Sequence, residues 1–307
     1  MIKIVLILSF ISLVGNTTGY AQEAVFNTKL FNKEEMLIHV KNLSSDAFEG
    51  RRTGTKGASK ARNYIMHTLK GLKIKPLGKT YEQSFLFSKN QIEYQGVNVL
   101  GLIKGTSKSN KYIVVSAHYD HEGIRNGLIY NGADDNASGV SALFSFAEFF
   151  NTYQPRHSVI LAAFDGEELG LKGSKYFTNN TIVPVKNIVL NINMDMIGRS
   201  DKEELYVVGS NTHINFKSLF FKKEPSCCTK LNLVMGHDGH DGKDNWLYSS
   251  DHASFYEKGI PFLYFGVEDH EDYHEPTDDF EKIQPEFYGK AVSQIIAIFK
   301  KLDLMSF

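Results

Sequence analysis

Cysteine is almost missing from this chain: Cys227 and Cys228 are the only two among 307 residues, and they are adjacent. Neighbouring Cα atoms across a trans peptide lie ~3.8 Å apart, shorter than unstrained disulfides prefer. A disulfide-stapled scaffold and a cysteine-rich zinc site are both excluded. A surplus of charge of one sign is also lacking. The 34 Lys and Arg are balanced by 35 Asp and Glu, with no basic tract or aromatic–basic stripe. Nucleic acid and anionic membrane surfaces are therefore not expected partners. Linkers are absent as well, since no break in composition divides the chain, and one domain is expected.

One pronounced apolar run stands at the start. Lys3 precedes Ile4 to Val14, and Gly19-Tyr20-Ala21 then supplies small residues before a cut. That is the pattern of a secretory signal peptide over residues 1–21, too short for a membrane span. The expected mature chain, residues 22–307, begins at Gln22. It is exported, to the periplasm or outside the cell, with no stable membrane insertion once the signal is removed.

The remainder is 42% hydrophobic and 22% charged over the whole chain, the balance of an ordinary globular protein. Amphipathic spacing predicts helices over 33–43, 58–72, 211–222, 251–258 and 286–302, and one running from the 132–139 loop to about Phe150. Apolar, β-branched runs predict strands at 81–87, 97–103, 112–117, 158–164, 188–192, 205–208 and 261–265. Such alternation implies an α/β fold, a three-layer α/β/α sandwich around a mixed central sheet. Residues 22–96 are expected as a helical extension packed on it.

The informative feature is what stands at the strand ends. The run Tyr112 to Ala117 closes on His118 and Asp120, and the loop beyond carries Asp134-Asp135. Glu167-Glu168, Asp195 and His274 each follow another apolar run. A lone His-x-Asp is as readily a solvated loop. Five clusters that converge would instead crowd at least four carboxylates into a partly dry cleft. Mutual repulsion and desolvation there are relieved by divalent cations. Imidazole and carboxylate without thiolate suit zinc, then manganese, cobalt or iron. Seven donors exceed one tetrahedral ion and suit two ions with a bridging carboxylate.

Five stretches make the pattern specific: Ser116-Ala-His-Tyr-Asp120, Gly132-Ala-Asp-Asp-Asn-Ala-Ser-Gly139, Phe164-Asp-Gly-Glu-Glu-Leu-Gly170, Asn193-Met-Asp-Met-Ile-Gly198 and Tyr273-His274. In order and content they resemble the motifs of the M28 family of co-catalytic zinc aminopeptidases, along with Leu43 to Gly57 and Ser250 to Pro261. The resemblance implies the zinc-exopeptidase type of sandwich and two Zn2+ ions. His118 and Asp195 would hold one, Glu168 and His274 the other, with Asp135 bridging across a cis Asp135–Asn136 peptide. It further implies that Asp120 orients His118, that Glu167 is the general base, and that Tyr273 hydrogen-bonds the developing oxyanion. Substrates would be peptides with a free N-terminus. Two other readings share the fold: a single-zinc glutaminyl-peptide cyclotransferase and a non-catalytic binding domain. Outside these positions, His237 and His240 are expected in a solvated loop, Asp251 as a helix cap or a substrate-site residue, and His39, His67 and His157 as surface or packing residues.

N-terminal sequencing of the exported protein is expected to start at or near Gln22; a retained Met1 on the mature chain would contradict the export pattern.

Overall fold

Residues 30–221, 231–239 and 241–307 are described by the computed structural model. The signal-like segment, the two cysteines and His240 lie outside them. Helix α1 (Lys33–Leu43) forms over the expected residues because Met36, Val40 and Leu43 make one apolar stripe, and all three are buried. A 3-10 turn at Asp46–Arg51 leads to α2 (Lys56–Gly71), whose Thr55 cap accepts from the Ala58 amide at 3.3 Å. Strands β1 (Lys75–Pro76), β2 (Glu82–Lys89), β3 (Ile92–Ile103) and β4 (Lys108–His118) follow, then the small hairpin β5 (Gly123–Arg125) and β6 (Leu128–Tyr130). The turn Ala133–Ser138 feeds α3 (Gly139–Phe149), and β7 (His157–Phe164), α4 (Lys172–Asn179), β8 (Ile188–Met194) and β9 (Glu204–Val208) come next. The chain closes with α5 (Lys217–Phe221), β10 (Asn232–Met235), α6 (His252–Tyr256), β11 (Phe262–Gly266) and α7 (Pro285–Asp303).

The main sheet runs β1-β3-β7-β4-β8-β11-β9-β10, with β2 also paired to β3. Its centre, β7-β4-β8-β11, is parallel; β3 and β9 flank it antiparallel. Both faces of those central strands are covered, which is why β7, β8 and β11 are buried at every position. Alternation decides which residue meets which layer. Ile113, Val115, Val159, Leu161, Leu190 and Ile192 face the layer containing α1, α2, α3 and α7. Val114, Ile160 and Ala162 face the other, where Phe177 of α4 and Phe255 of α6 pack. The result is the mixed three-layer sandwich expected.

The N-terminal third corrects the sequence reading. Among the described residues up to 96, α1, the 3-10 turn and α2 are helical, but β1, β2 and the start of β3 belong to the same sheet as the rest. The strand expected over 81–87 is β2 and the one over 97–103 is the second half of β3, while polar Glu, Gln, Ser and Lys mark the open side of β2 and of the start of β3. They leave one covered face where a two-sided apolar run would have been plain. The helix expected over 211–222 shrinks to Lys217–Phe221, because 209–216 is spent in turns such as Thr212 N–H to Gly209 O at 2.9 Å.

The C-terminal helix is fastened to the sheet by one carboxylate. Buried Asp303 accepts from Tyr153 Oη (2.9 Å), the Arg156 amide (2.8 Å), the His157 amide (2.9 Å) and lies 3.0 Å from His157 Nδ1. Burial alone would raise its pKa, but the bonds from His157, Arg156 and Tyr153 outweigh it and hold the carboxyl below its usual value. A lowered folded pKa contributes stability present above the unfolded value of about 3.9, lost as pH falls through the folded value. Asp303→Ala, which strands those donors, is expected to cost about 3 kcal/mol at pH 7 by urea unfolding. The gap between variant and wild type should narrow below about pH 4. A gap that stays constant with pH would rule out this clamp as the cause.

Candidate metal centre

The carboxyl ends of the four parallel strands lie along one edge, where open α/β sheets gather their ligands. His118 ends β4, Asp195 directly follows β8, Glu167 and Glu168 follow β7, and His274 lies beyond β11. Asp135 comes from the turn that starts the β4–α3 crossover. That turn has one permitted shape. Gly132 sits at φ 55°, and a Cβ there would lie 2.1 Å from the Asp135 carbonyl oxygen and 2.6 Å from the His121 ring. The Asp135–Asn136 peptide is cis, as the family resemblance implied. Asn136 locks the turn to the end of β8, donating to Met194 O at 3.0 Å and accepting from the Gly139 amide at 2.8 Å.

All five expected metal-holding residues converge. His118 Nε2 lies 3.3 Å from Asp135 Oδ1 and 3.1 Å from Asp195 Oδ1. His274 Nε2 lies 3.1 Å from Asp135 Oδ2 and 3.3 Å from Glu168 Oε2. Donors bound to zinc at ~2.0–2.1 Å in a tetrahedron stand about 3.3 Å apart, and the groups whose ligand atoms all lie within 4.8 Å of one another are His118, Asp135 and Asp195, then His121, Asp135 and Glu168, then Glu122, Glu168 and His274. Each Asp135 oxygen addresses a different histidine–carboxylate pair, which fits a bridging ligand. His118 also has its second ring nitrogen held, with Nδ1 3.1 Å from the Asp120 backbone oxygen.

The protonation balance shows what the cluster wants. Burial should push charged histidine down, yet the Asp195 and Glu167 charges and bonds to Asp135 and Asp195 raise His118 well above its usual value. His274, likewise resisted by burial, is brought to about 10 by Asp135 and Glu168. Burial also opposes ionisation of Glu168, but bonds from His121 and His274 take it to about 2. The acids draw positive charge onto their histidines, and a divalent cation would supply that charge instead. Glu167 differs: burial, with Glu168, Asp195 and Asp251, lifts it well above the carboxylate range against the pull of His118.

Two roles drawn from the sequence need correction. The Asp120 carboxylate is 3.9 Å from His118 Nδ1, so its backbone oxygen does the orienting. The carboxylate is spent on the Glu167 and Glu168 amides, at 3.0 and 3.3 Å, and on Thr53 Oγ1. His237 is buried, not solvated: its Nδ1 and Nε2 lie 2.9 and 3.1 Å from Asp244 O and Glu268, and its ring stacks 3.6 Å from Trp246. It braces the cavity wall and takes no ligand position. Asp251 begins α6 without a side-chain cap bond, and burial raises it to about 6. His39 and His157 are packing residues with partners, and His67 is exposed. Tyr273 stacks on His274 with ring centroids 4.0 Å apart and lines, with Glu167, Trp246, Tyr264 and Asp269, a cavity of about 140 Å³ above the cluster.

Sequence reasoning passed over several supports. Arg51 is a fully buried guanidinium donating to Leu43 O, Tyr119 O, Asn131 O and Gly132 O at 2.6–2.9 Å. Burial lowers it to about 10, with the Asp135, Asp278 and Asp120 charges pulling the other way. Asp278 accepts the amides of Asp134 and Asp135 at 3.0–3.1 Å, and Asp134 itself holds the Gly198 amide and His270. His121 lies 2.9 Å from Glu168. Only His121, directly after the His-x-Asp motif, carried a sequence signal that could have been used.

Comparison with known proteins agrees with this geometry. The profile described as Peptidase family M28 matches residues 98–299. Aminopeptidase YwaD of Bacillus subtilis (strain 168) is 31% identical over 212 residues, which cover 65% of this chain and 43% of that protein. A probable zinc metalloprotease of Pyrenophora tritici-repentis is 32% identical over 110 residues, 34% of this chain and 25% of that one. The chain thus spans less than half the length of these curated relatives. In fold, BSAP, a zinc aminopeptidase from Bacillus subtilis, superposes with TM-score 0.68 at 19% identity, covering 89% of this chain and 95% of its own. Porphyromonas gingivalis glutaminyl cyclase superposes with TM-score 0.69 at 17% identity, covering 89% and 99%.

Proposed function

Because the chain belongs to peptidase family M28, we propose that it is an exported two-zinc aminopeptidase, hydrolysing the N-terminal residue from peptides that carry a free amine. One observation carries the reading: both oxygens of Asp135 are committed, each to its own histidine–carboxylate pair. Export rests on the Lys3 to Ala21 pattern alone. In this reading His118, Asp135 and Asp195 hold one zinc, and Asp135, Glu168 and His274 the other. Zinc bound there would polarise the scissile carbonyl and make the attacking water acidic.

The chain's own groups do the rest. Glu167 lines the cavity and, being a weaker acid than an exposed glutamate, is suited to take the water proton and pass it to the leaving amine. Its amide is fixed by Asp120, so the carboxylate is aimed by backbone as well as side chain. The Tyr273 hydroxyl lines the same cavity, and burial beside Asp135 and Asp195 raises its pKa, so it stays a donor for a developing oxyanion. A substrate ammonium is matched by the acids in the wall, Asp269 among them, while Trp246, Tyr264 and Val267 offer apolar surface to its side chain.

Free-amine specificity is tested with paired peptides. Acetylating the N-terminus removes the charge and adds bulk, so hydrolysis should fall by at least about 100-fold, the scale of two orders expected for lost charge pairing in a dry site. Equal rates would end the aminopeptidase reading. Formation of pyroglutamate from Gln-initiated peptides, with no peptide bond cut, would instead favour a cyclotransferase, whose fold this chain shares.

The adjacent glutamates are separable. Glu167→Gln should keep both metals and lose about 100- to 10,000-fold in kcat with KM little changed, as for a missing general base. Glu168→Gln should lower metal content first, with activity recovering at high zinc. A metal-replete Glu167→Gln protein of near-native kcat would refute the assigned base.

A further inference from the structure

Glu168 is gripped by two histidines, one on each oxygen. Oε2 faces His274 Nε2 at 3.3 Å, while Oε1 lies 2.9 Å from Nδ1 of His121. His121 is fully buried, and the same Nδ1 lies 3.6 Å from Asp135 Oδ2. The opposite edge of its ring rests on the Gly132 backbone, where a Cβ would approach Cγ and Cδ2 to 2.6 Å. On that edge Nε2 has no hydrogen-bond partner among the described residues.

These contacts distinguish two chemical roles. If Nδ1 bound a metal, the ring proton would sit on Nε2, leaving a buried N–H without an acceptor, a costly arrangement. If Nδ1 carries the proton, it makes a short charge-assisted bond to the carboxylate, and only a lone pair goes unpaired. His118 illustrates the ligand pattern by contrast, with one nitrogen at the Asp120 backbone oxygen and the other among carboxylates. The choice of oxygen agrees with the five-residue ligand set: His121 addresses Oε1, while Oε2 faces His274.

We propose that His121 is a positioning residue, whose Nδ1–H turns Glu168 so that Oε2 is presented to the second metal. The inference rests on the two-metal reading above and adds to it a residue outside the five that hold metal. The 118–121 segment then grips Glu167-Glu168 three times, through Asp120 on both amides and His121 on the side chain. Ligating carboxylates held by such partners typically lose 10- to 100-fold in metal affinity when the partner goes.

The test is a zinc titration of the metal-stripped full chain against a competing chelating dye, with thermal melts as a folding control. His121→Asn places an amide N–H close to the Nδ1 position, whereas His121→Gln displaces it toward Nε2. The Gln variant should bind one of its two zinc equivalents about 10- to 100-fold more weakly, the other unchanged. The Asn variant should stay within about threefold of wild type and keep its visible cobalt(II) spectrum, since ligand number is unaltered. Should Gln fail to fold, His121→Ala serves as the donor-free variant. An Asn protein that loses the zinc as fully as Gln and shifts its cobalt spectrum would make His121 a ligand and overturn the proposal. Unchanged zinc binding in both variants would overturn it too. A wild-type chain that binds no zinc would sink the metal reading itself, a result distinct from either.

Discussion

Compensation of buried negative charge is the constraint on which the rest of this structure depends. Asp120, Asp135, Glu168 and Asp195 stand together at one edge of the sheet with little exposure to water. Unpaired, they would take up protons or destabilise the fold. The chain answers from three directions. Arg51 places a permanent cation beneath them, and its guanidinium is consumed by four backbone oxygens of the loops that carry the site. His118, His121 and His274 face the acids from above. Backbone amides cap what remains. The positive charge drawn onto His118 and His274 by their acids is a share of the balance that cations could supply instead.

A single device recurs at the two acidic pairs. In Asp134-Asp135 and in Glu167-Glu168, both amides of the pair donate to one carboxylate, Asp278 in the first case and Asp120 in the second. Fixing two successive amides fixes the backbone between them, and the adjacent side chains must then diverge. The second member of each pair meets the histidines of the cluster. The first goes elsewhere: Asp134 to Gly198 and His270, Glu167 to the cavity. Different tasks for neighbouring acids accompany this backbone clamp, and their acidities split as well: burial holds Glu167 high, while bonds from His121 and His274 overcome burial and hold Glu168 low.

How much of this was legible beforehand follows from the range of each interaction. The central strands could be read because burial on both faces leaves an unbroken apolar run, and the polar residues ending those runs mark the site edge. The five residues that converge at the candidate metal centre were readable together, through ordered motifs, although none was secure alone. The strands at 81–87 and 97–103 were read, but not that β1, β2 and the start of β3 continue the main sheet, because strands open on one side mix Glu, Gln and Lys with their covered residues. Apart from the Arg51 bond to Leu43 O, Arg51 and Asp278 act on backbone groups 68 to 144 positions away, and no local pattern encodes such a partnership. That Asp120 orients His118 through its backbone oxygen, with its carboxylate engaged elsewhere, was hidden for the same reason. Its neighbour His118 was in plain view, but the glutamate amides it actually holds lie on the next strand's loop.

That last pairing explains why the site needs the parallel sheet and not merely its residues. β4 and β7 run side by side with His118 opposite Phe164, so the segment after one strand lies against the segment after the other. Asp120 thereby meets the Glu167 and Glu168 amides, and His121 meets the Glu168 side chain, without any long reach. On the other flank, β4 pairs with β8 in register through Ser116 and Asn193, two residues short of His118 and Asp195. Each neighbour of β4 thus delivers one acid level with it. A shift by one residue in either pairing would turn those side chains to the opposite face of the sheet and separate the acids from His118. The apolar core on both sides forbids that shift, since it would carry Val159, Leu161, Leu190 and Ile192 out of the layer they fill. The packing that stabilises the fold is therefore also what sets the spacing of the candidate metal-holding groups.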